Sequence, residues 1–223
     1  MESPSPFDPF VPPRDFVAHE LAAGFCIYTG RIPQELRLSP EAFEVLWGTH
    51  PTTFADVMAG GQVRQGSRWH QAYGHDYQFA GYSSRALPVP SALHGFLEWA
   101  QGAVDARLNG LLVNWYDAAF EHRIGQHKDS PIGRIADSPI VTISLGAART
   151  FRMFVRRRWI EFRHGDGDVV VLPEATNRKF AHAVPHLPGD EGRRISVTIR
   201  AFVAANEADA QTALPKPAQE GDR

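Results

Sequence analysis

Arg194-Ile-Ser-Val-Thr-Ile-Arg200 alternates polar and apolar side chains without a break. At the two-residue period of a strand, Ile195, Val197 and Ile199 fall on one face, and Arg194, Ser196, Thr198 and Arg200 on the other. The apolar face packs. The other face either meets solvent or points into an interior where something pairs with the guanidinium groups, because a buried unpaired arginine is costly. A bound carboxylate is such a partner, since the guanidinium fork donates two bonds to it. The ends of the stretch stand about 20 Å apart on a strand, so both arginines must lean inward to hold one small dicarboxylate.

The rest of the second half keeps this rhythm. Leu111–Trp115, Ile140–Leu145, Thr150–Val155, Trp159–Arg163, Asp168–Leu172, Phe180–Val184 and Ile195–Phe202 read as short strands, punctuated by Gly146, Gly165-Asp-Gly167 and Pro188-Gly189. Upstream, Phe16–Tyr28 is strand-like. Ser39-Pro40 opens a helix with Phe43, Leu46 and Trp47 as its buried stripe. A second helix follows Pro90, with Ser91 as its cap and Leu93, Phe96, Leu97, Ala100 and Val104 at helical spacing. Helices followed by a run of strands predict an α+β chain, mainly β, with a jelly-roll core and N-terminal helices packed outside it.

With 223 residues, 43% of them hydrophobic and 22% charged, the chain fits one domain with a sizeable core and terminal extensions. Residues 1–14 hold five prolines and read as a flexible arm, and 206–223 as a flexible tail, which leaves 15–205 as the domain. A net charge of −2 excludes bulk attraction to polyanions, so any nucleic-acid affinity must come from a local patch. Arg149, Arg152, Arg156, Arg157, Arg158 and Arg163 form one, with only Glu161 against them; a solvated strand pair balanced elsewhere is the plainer alternative. The single Cys26 forms no internal disulfide, Met1-Glu-Ser-Pro-Ser-Pro lacks a secretory pattern, and no apolar run reaches membrane-spanning length. The expectation is a cytoplasmic, monomeric chain with no membrane partner.

The chemistry is carried by few residues. On an extended segment, His127 and Asp129 point to the same side and reach one ion. His182, from a distant strand, can supply a third ligand, with His186 as its rival; His122, His164 and His70 are further histidines without a supporting frame. Two imidazoles and a carboxylate hold iron(II) on one face and leave three positions for a bidentate keto acid and dioxygen. Asn114 and Tyr116, also two apart, place an amide and a phenol on one face, where they can bind such a co-substrate or simply form a polar strand surface.

In order, Asn114-x-Tyr116, His127-x-Asp129, Pro139-Ile-Val-Thr-Ile-Ser-Leu-Gly-Ala-Ala-Arg-Thr-Phe151, Gly167-Asp-Val-Val-Val-Leu172, His182-Ala-Val-Pro185 and Arg194-x5-Arg200 resemble the AlkB family of iron(II)/2-oxoglutarate dioxygenases, over roughly residues 60–203. The resemblance implies that His127, Asp129 and His182 ligate the metal. It implies a double-stranded β-helix core at about 111–203, preceded at about 60–110 by a nucleotide-recognition region in which Trp69, Tyr73 and Tyr77 can stack on a base. Arg194 and Tyr116 would take the far carboxylate of 2-oxoglutarate, with Arg200, Asn114 and Ser196 at its metal-proximal end. The implied reaction is oxidative demethylation of alkylated DNA or RNA, with the base flipped or single-stranded and formaldehyde, succinate and CO2 released. Members acting on alkylated bases carry an acidic residue shortly after the metal-binding Asp; here Ser130-Pro-Ile-Gly133 follows, and the spacing from Asn114 to His127 is slightly longer. Two other readings stand beside this one: the same chemistry on a protein, lipid or small molecule, and a non-catalytic jelly-roll binding module.

Overall fold

The computed structural model describes residues 10–59, 62–79 and 82–203. Residues 1–9 of the expected arm and the whole expected tail, 206–223, lie outside the described residues. From Phe10 the chain packs onto Tyr28, with ring centroids 5.3 Å apart.

The first two strands, β1 (Val17–Ala22) and β2 (Phe25–Arg31), form an antiparallel hairpin. The sequence reading took Phe16–Tyr28 as a single strand-like segment. It folds back at Gly24, whose φ of 78° is the left-handed value that glycine adopts without penalty. Helix α1 (Pro40–Trp47) starts as expected, with Ser39 Oγ accepting from the Ala42 amide at 3.2 Å. Two small hairpins flank the next strand: β3 (Asp56–Ala59) with β4 (Gln62–Gln65), then β5 (Trp69–Tyr73), then β6 (Tyr77–Phe79) with β7 (Tyr82–Ser84). Helix α2 (Ser91–Ala103) begins one residue earlier than its expected cap allows. Pro90, extended at φ −71° and ψ 151°, is the N-cap, and its carbonyl accepts the first helical bond from Leu93, so Ser91 is already inside the helix.

The second half supplies β8 (Gly110–Asp117), β9 (Ile124–His127), β10 (Ile140–Gly146), β11 (Arg149–Val155), β12 (Arg158–His164), β13 (Asp168–Leu172), a short α3 (Glu174–Lys179), β14 (Ala181–Val184) and β15 (Arg193–Arg200). Seven strands form one sheet in the order β1-β2-β13-β10-β15-β8-β5, and four form a second in the order β12-β11-β14-β9. All the pairings are antiparallel. The chain is therefore α+β and dominated by antiparallel sheet.

Alternation along β15 decides how the layers stack. Ile195, Val197 and Ile199 are fully buried in a core shared with Leu46 and Trp47 of α1 and Leu93, Phe96 and Ala100 of α2, so the helices cover one face of the large sheet. A second core joins Ile140, Val170 and Leu172 of the large sheet to Phe151, Met153 and Val184 of the small one. The polar face of β15 looks toward this second space. β8 is covered on both sides, which is why its burial is continuous rather than alternating.

Candidate metal centre and co-substrate cavity

β9 and β14 pair so that His182 stands opposite His127, and Asp129 follows just past the end of β9. One donor atom from each of the three lies within 4.8 Å of the other two. The Nε2 atoms of His127 and His182 stand 3.4 and 3.8 Å from Asp129 Oδ1. His186, the rival ligand, is outside this group.

The protonation states suit a metal. His127 Nδ1 lies 2.9 Å from the Gly125 carbonyl, which can only accept, so Nδ1 carries the proton and Nε2 presents its lone pair. Burial above all pushes His182 down to about 3, so this imidazole is neutral. Burial works against ionising Asp129, yet the Arg200 guanidinium holds its carboxyl well below the usual range. Arg200 donates to Asp129 Oδ2 from Nε at 3.0 Å and from Nη2 at 2.5 Å. One carboxylate oxygen thus faces the imidazoles and the other the arginine. This is a facial two-histidine, one-carboxylate metal site.

The site opens into a cavity of about 660 Å³ whose floor is the polar face of β15. Asn114, Tyr116, Arg194, Ser196 and Arg200 all line it, as does Tyr77. The register accounts for this: Tyr116 is opposite Arg194 and Asn114 opposite Ser196, so one face of two adjacent strands presents all four. Arg194 is 3% exposed, donates from Nη2 to Ser144 Oγ at 2.8 Å, and lies 5.1 Å over the Tyr116 ring. Its Nε and Nη1 are buried and lack a hydrogen-bond partner among the described residues. Burial lowers its pKa, partly offset by Tyr116. A guanidinium with two orphaned donors at the end of a cavity fits a carboxylate, which would repair the deficit.

The aromatic region is placed differently from the sequence reading. Trp69 does not line the cavity: its ring is stacked with His50 at 3.9 Å and with Phe54 at 5.5 Å. Tyr73 is buried in the helix-side core. Only Tyr77 of the three reaches the cavity, where Arg200 lies 4.5 Å over its ring. The reason is parity. On β5 the odd-numbered residues face the helices and hairpins, which leaves the even-numbered side, with Arg68 just before the strand, for the cavity.

Three residues with a place in the site were not singled out in the sequence. Arg68 donates from Nε to Asn114 Oδ1 at 2.7 Å, Ser144 supports Arg194, and Asn177 in α3 grips the backbone of Asp129. Arg68 shares the face of His70, which pairs with Asn114, but only the pairing register of β5 with β8 shows this. Nothing local marks Asn177, which sits in a short polar helix. The arginine patch is also smaller than it reads. Arg149 is buried, donates to the Glu191 and Gly192 carbonyls at 2.9 and 3.1 Å, and stands 3.9 Å from Asp190. Arg163 pairs with Asp190, and Arg152 lies between Trp159 and Glu161. Arg156, Arg157 and Arg158 remain, exposed at the tip of the β11–β12 hairpin. Among the described residues no helix is long and apolar enough to cross a membrane.

Comparison with known proteins agrees with this geometry. Over 167 residues the chain is 24% identical to "DNA oxidative demethylase ALKBH2" of Homo sapiens, a match taking in 62% of this chain and 60% of that protein, so the chain spans about three-fifths of that relative's length. The structure of OsALKBH1 covers 83% of this chain and 100% of that chain at a TM-score of 0.56 and 13% identity, a likeness of fold. Residues 37–200 match the family model of the 2OG-Fe(II) oxygenase superfamily. That span contains the triad and both strand arginines, and the chain belongs to the 2OG-Fe(II) oxygenase superfamily.

Proposed function

We propose that the protein is an iron(II)- and 2-oxoglutarate-dependent demethylase of N-alkylated nucleic-acid bases, built on a double-stranded β-helix at about 111–203 with a substrate-recognition region at about 60–110. The observation that carries the co-substrate is Arg194, buried with two unpartnered donors at the end of a cavity that begins at the His127, Asp129, His182 triad. Its guanidinium takes the far carboxylate, with the Tyr116 phenol beside it and Ser144 fixing the fork. Asn114 and Ser196 serve the metal-proximal end. Arg200 keeps Asp129 ionised and aimed at the imidazoles. Iron(II) bound by the triad supplies the activation of dioxygen.

The cavity walls keep water from the reacting centre and hold the alkylated base in reach. The balance is simple: 2-oxoglutarate and dioxygen give succinate and CO2, and the second oxygen atom enters the N-methyl group. The N-hydroxymethyl product then loses formaldehyde and returns the N–H. A base reaches such an enclosed site only from a single strand or after flipping. The exposed Arg156, Arg157 and Arg158 supply a basic tip on the sheet that carries His127 and His182, suited to phosphates. A cytoplasmic setting belongs to the same reading, supported by the lone Cys26.

The test is succinate and formaldehyde production with iron(II), ascorbate, 2-oxoglutarate and methylated single-stranded DNA or RNA. Formaldehyde with a restored base supports the reading. Succinate without formaldehyde moves the substrate elsewhere.

A further inference from the structure

The cavity is rich in cations and almost without acid. Among the described residues that line it, Arg68, Arg123, Lys128, Arg194 and Arg200 are basic, and Asp129 is the one carboxylate. Asp129 is committed twice over, through Oδ2 to Arg200 and through Oδ1 to the triad. Among the described lining residues no acid is left to receive a positively charged substrate.

Arg194 and Arg200 have duties in the site already described, whereas Arg68 serves it only through Nε, which supports Asn114. It is 9% exposed, and no carboxylate of the described residues lies within ion-pair distance of it. The hydrogen bond its side chain makes to the described residues runs from Nε to Asn114 Oδ1 at 2.7 Å. That bond fixes the arm of the side chain on the cavity wall and leaves the terminal Nη donors for whatever enters. A buried guanidinium with free donors attracts an acceptor and penalises a cation.

Alkylated bases divide on this property. 1-Methyladenine and 3-methylcytosine are cationic at neutral pH, and each carries an exocyclic amino donor next to the alkylated nitrogen. 3-Methyluracil, 3-methylthymine and 1-methylguanine are neutral lactams, with a carbonyl acceptor in place of that amino group, at C4 of the pyrimidines and C6 of the purine. We infer that Arg68 makes this cavity selective for neutral N-alkyl lactam bases by donating to the C4 carbonyl oxygen of a pyrimidine or the C6 carbonyl oxygen of a purine, where the cationic bases carry an amino donor, and that it disfavours cationic bases. The inference rests on the nucleobase reading of the proposed function and narrows it.

The experiment uses the iron(II)-loaded full chain with 2-oxoglutarate at neutral pH. One mixture holds two single-stranded DNA oligonucleotides of matched sequence, one with 3-methyluracil and one with 3-methylcytosine, and loss of each methyl is followed by mass spectrometry. Because both substrates share one tube, a change in the amount of folded enzyme cancels in the ratio. The expected wild-type ratio favours methyluracil by about tenfold or more, the scale of one hydrogen bond from a charged donor. Arg68→Ala should bring the ratio near unity, and Arg68→Glu should reverse it. A wild-type preference for methylcytosine, or a ratio that neither variant moves, overturns the inference and leaves the demethylase reading standing. Conversion of 2-oxoglutarate with neither base demethylated overturns both.

Discussion

Asn177 holds both backbone polar groups of Asp129: its Oδ1 accepts from the Asp129 amide at 3.0 Å and its Nδ2 donates to the Asp129 carbonyl at 3.1 Å. The metal carboxylate sits beyond the end of β9, where no strand partner fixes its peptide. The short helix α3 does that work instead, and Lys128 Nζ reinforces the contact by donating to the Arg178 carbonyl at 2.6 Å. Asn177→Ala should leave two buried backbone groups unpaired, at a cost of roughly 1–3 kcal/mol. Metal affinity should fall about 10–100-fold, the usual effect of losing a support behind a ligand. A metal titration of the variant, followed through protein fluorescence, checks this; wild-type affinity would show that the loop holds itself.

Arg194→Ala removes the cation that faces the far end of the cavity. The KM for 2-oxoglutarate should rise by about two orders of magnitude, consistent with a lost charge-assisted fork of roughly 3 kcal/mol. Metal affinity should stay within a few-fold, because Arg194 touches Ser144 and Tyr116 but no ligand of the triad. Metal and co-substrate titrations of the same variant separate the two effects. Equal loss of both would make Arg194 a structural residue.

The triad and the floor of the cavity were legible because period two carries them. His127 with Asp129, Asn114 with Tyr116, and the four polar residues of β15 each share a face at that spacing, and the sheet brings the faces together. Trp69 and Tyr73 misled for the same reason in reverse. Nothing in a short aromatic-rich strand says which face turns toward the cavity side of the sheet; on β5 that face holds His70 and Ala72, and Arg68, just before the strand, is what lines the cavity. The arginine patch failed differently. Arg149 and Arg163 are consumed by Asp190, a residue distant in sequence that only the fold brings near. The pairing of the small sheet and the clamp from Asn177 are likewise long-range, and no local pattern announces them.

Gly146 punctuates the sequence between β10 and β11, and the structure gives the punctuation a steric cause. Its φ is 80°, and a Cβ there would stand 2.6 Å from the Arg193 carbonyl oxygen and 2.7 Å from Phe43 Cε2. Gly146→Ala therefore combines a left-handed backbone penalty of roughly 1–2 kcal/mol with a clash against backbone that cannot swing away. A total loss of about 2–4 kcal/mol is expected in urea unfolding. An unchanged midpoint would mean that α1, which carries Phe43, yields at little cost.

Stability should fall as the solution is acidified from neutrality, and the groups responsible are buried histidines. Burial, with the Arg194 charge behind it, holds His164 at about 4. Burial, with Arg68 behind it, holds His70 at about 4. In the unfolded chain each titrates near its ordinary value of about 6.5. Between those limits the unfolded state binds protons that the folded state refuses, so stability rises with pH and is lost as pH drops through the window. The slope approaches about 1.4 kcal/mol per pH unit for each such group within it. In the metal-free protein His182, held at about 3, adds to the same slope. Asp129 acts in a separate window: its depressed carboxyl contributes stability above about pH 4, lost only on further acidification through its folded pKa. Urea unfolding of the metal-free chain at about pH 7.5, 6 and 5 should show a steady decline, and His164→Gln, which has nothing to protonate, should make it shallower while His70 and His182 keep the rest. Equal stability of the wild type at both ends of that range would mean that these imidazoles are protonated inside the fold, with partners the buried sites would have to supply.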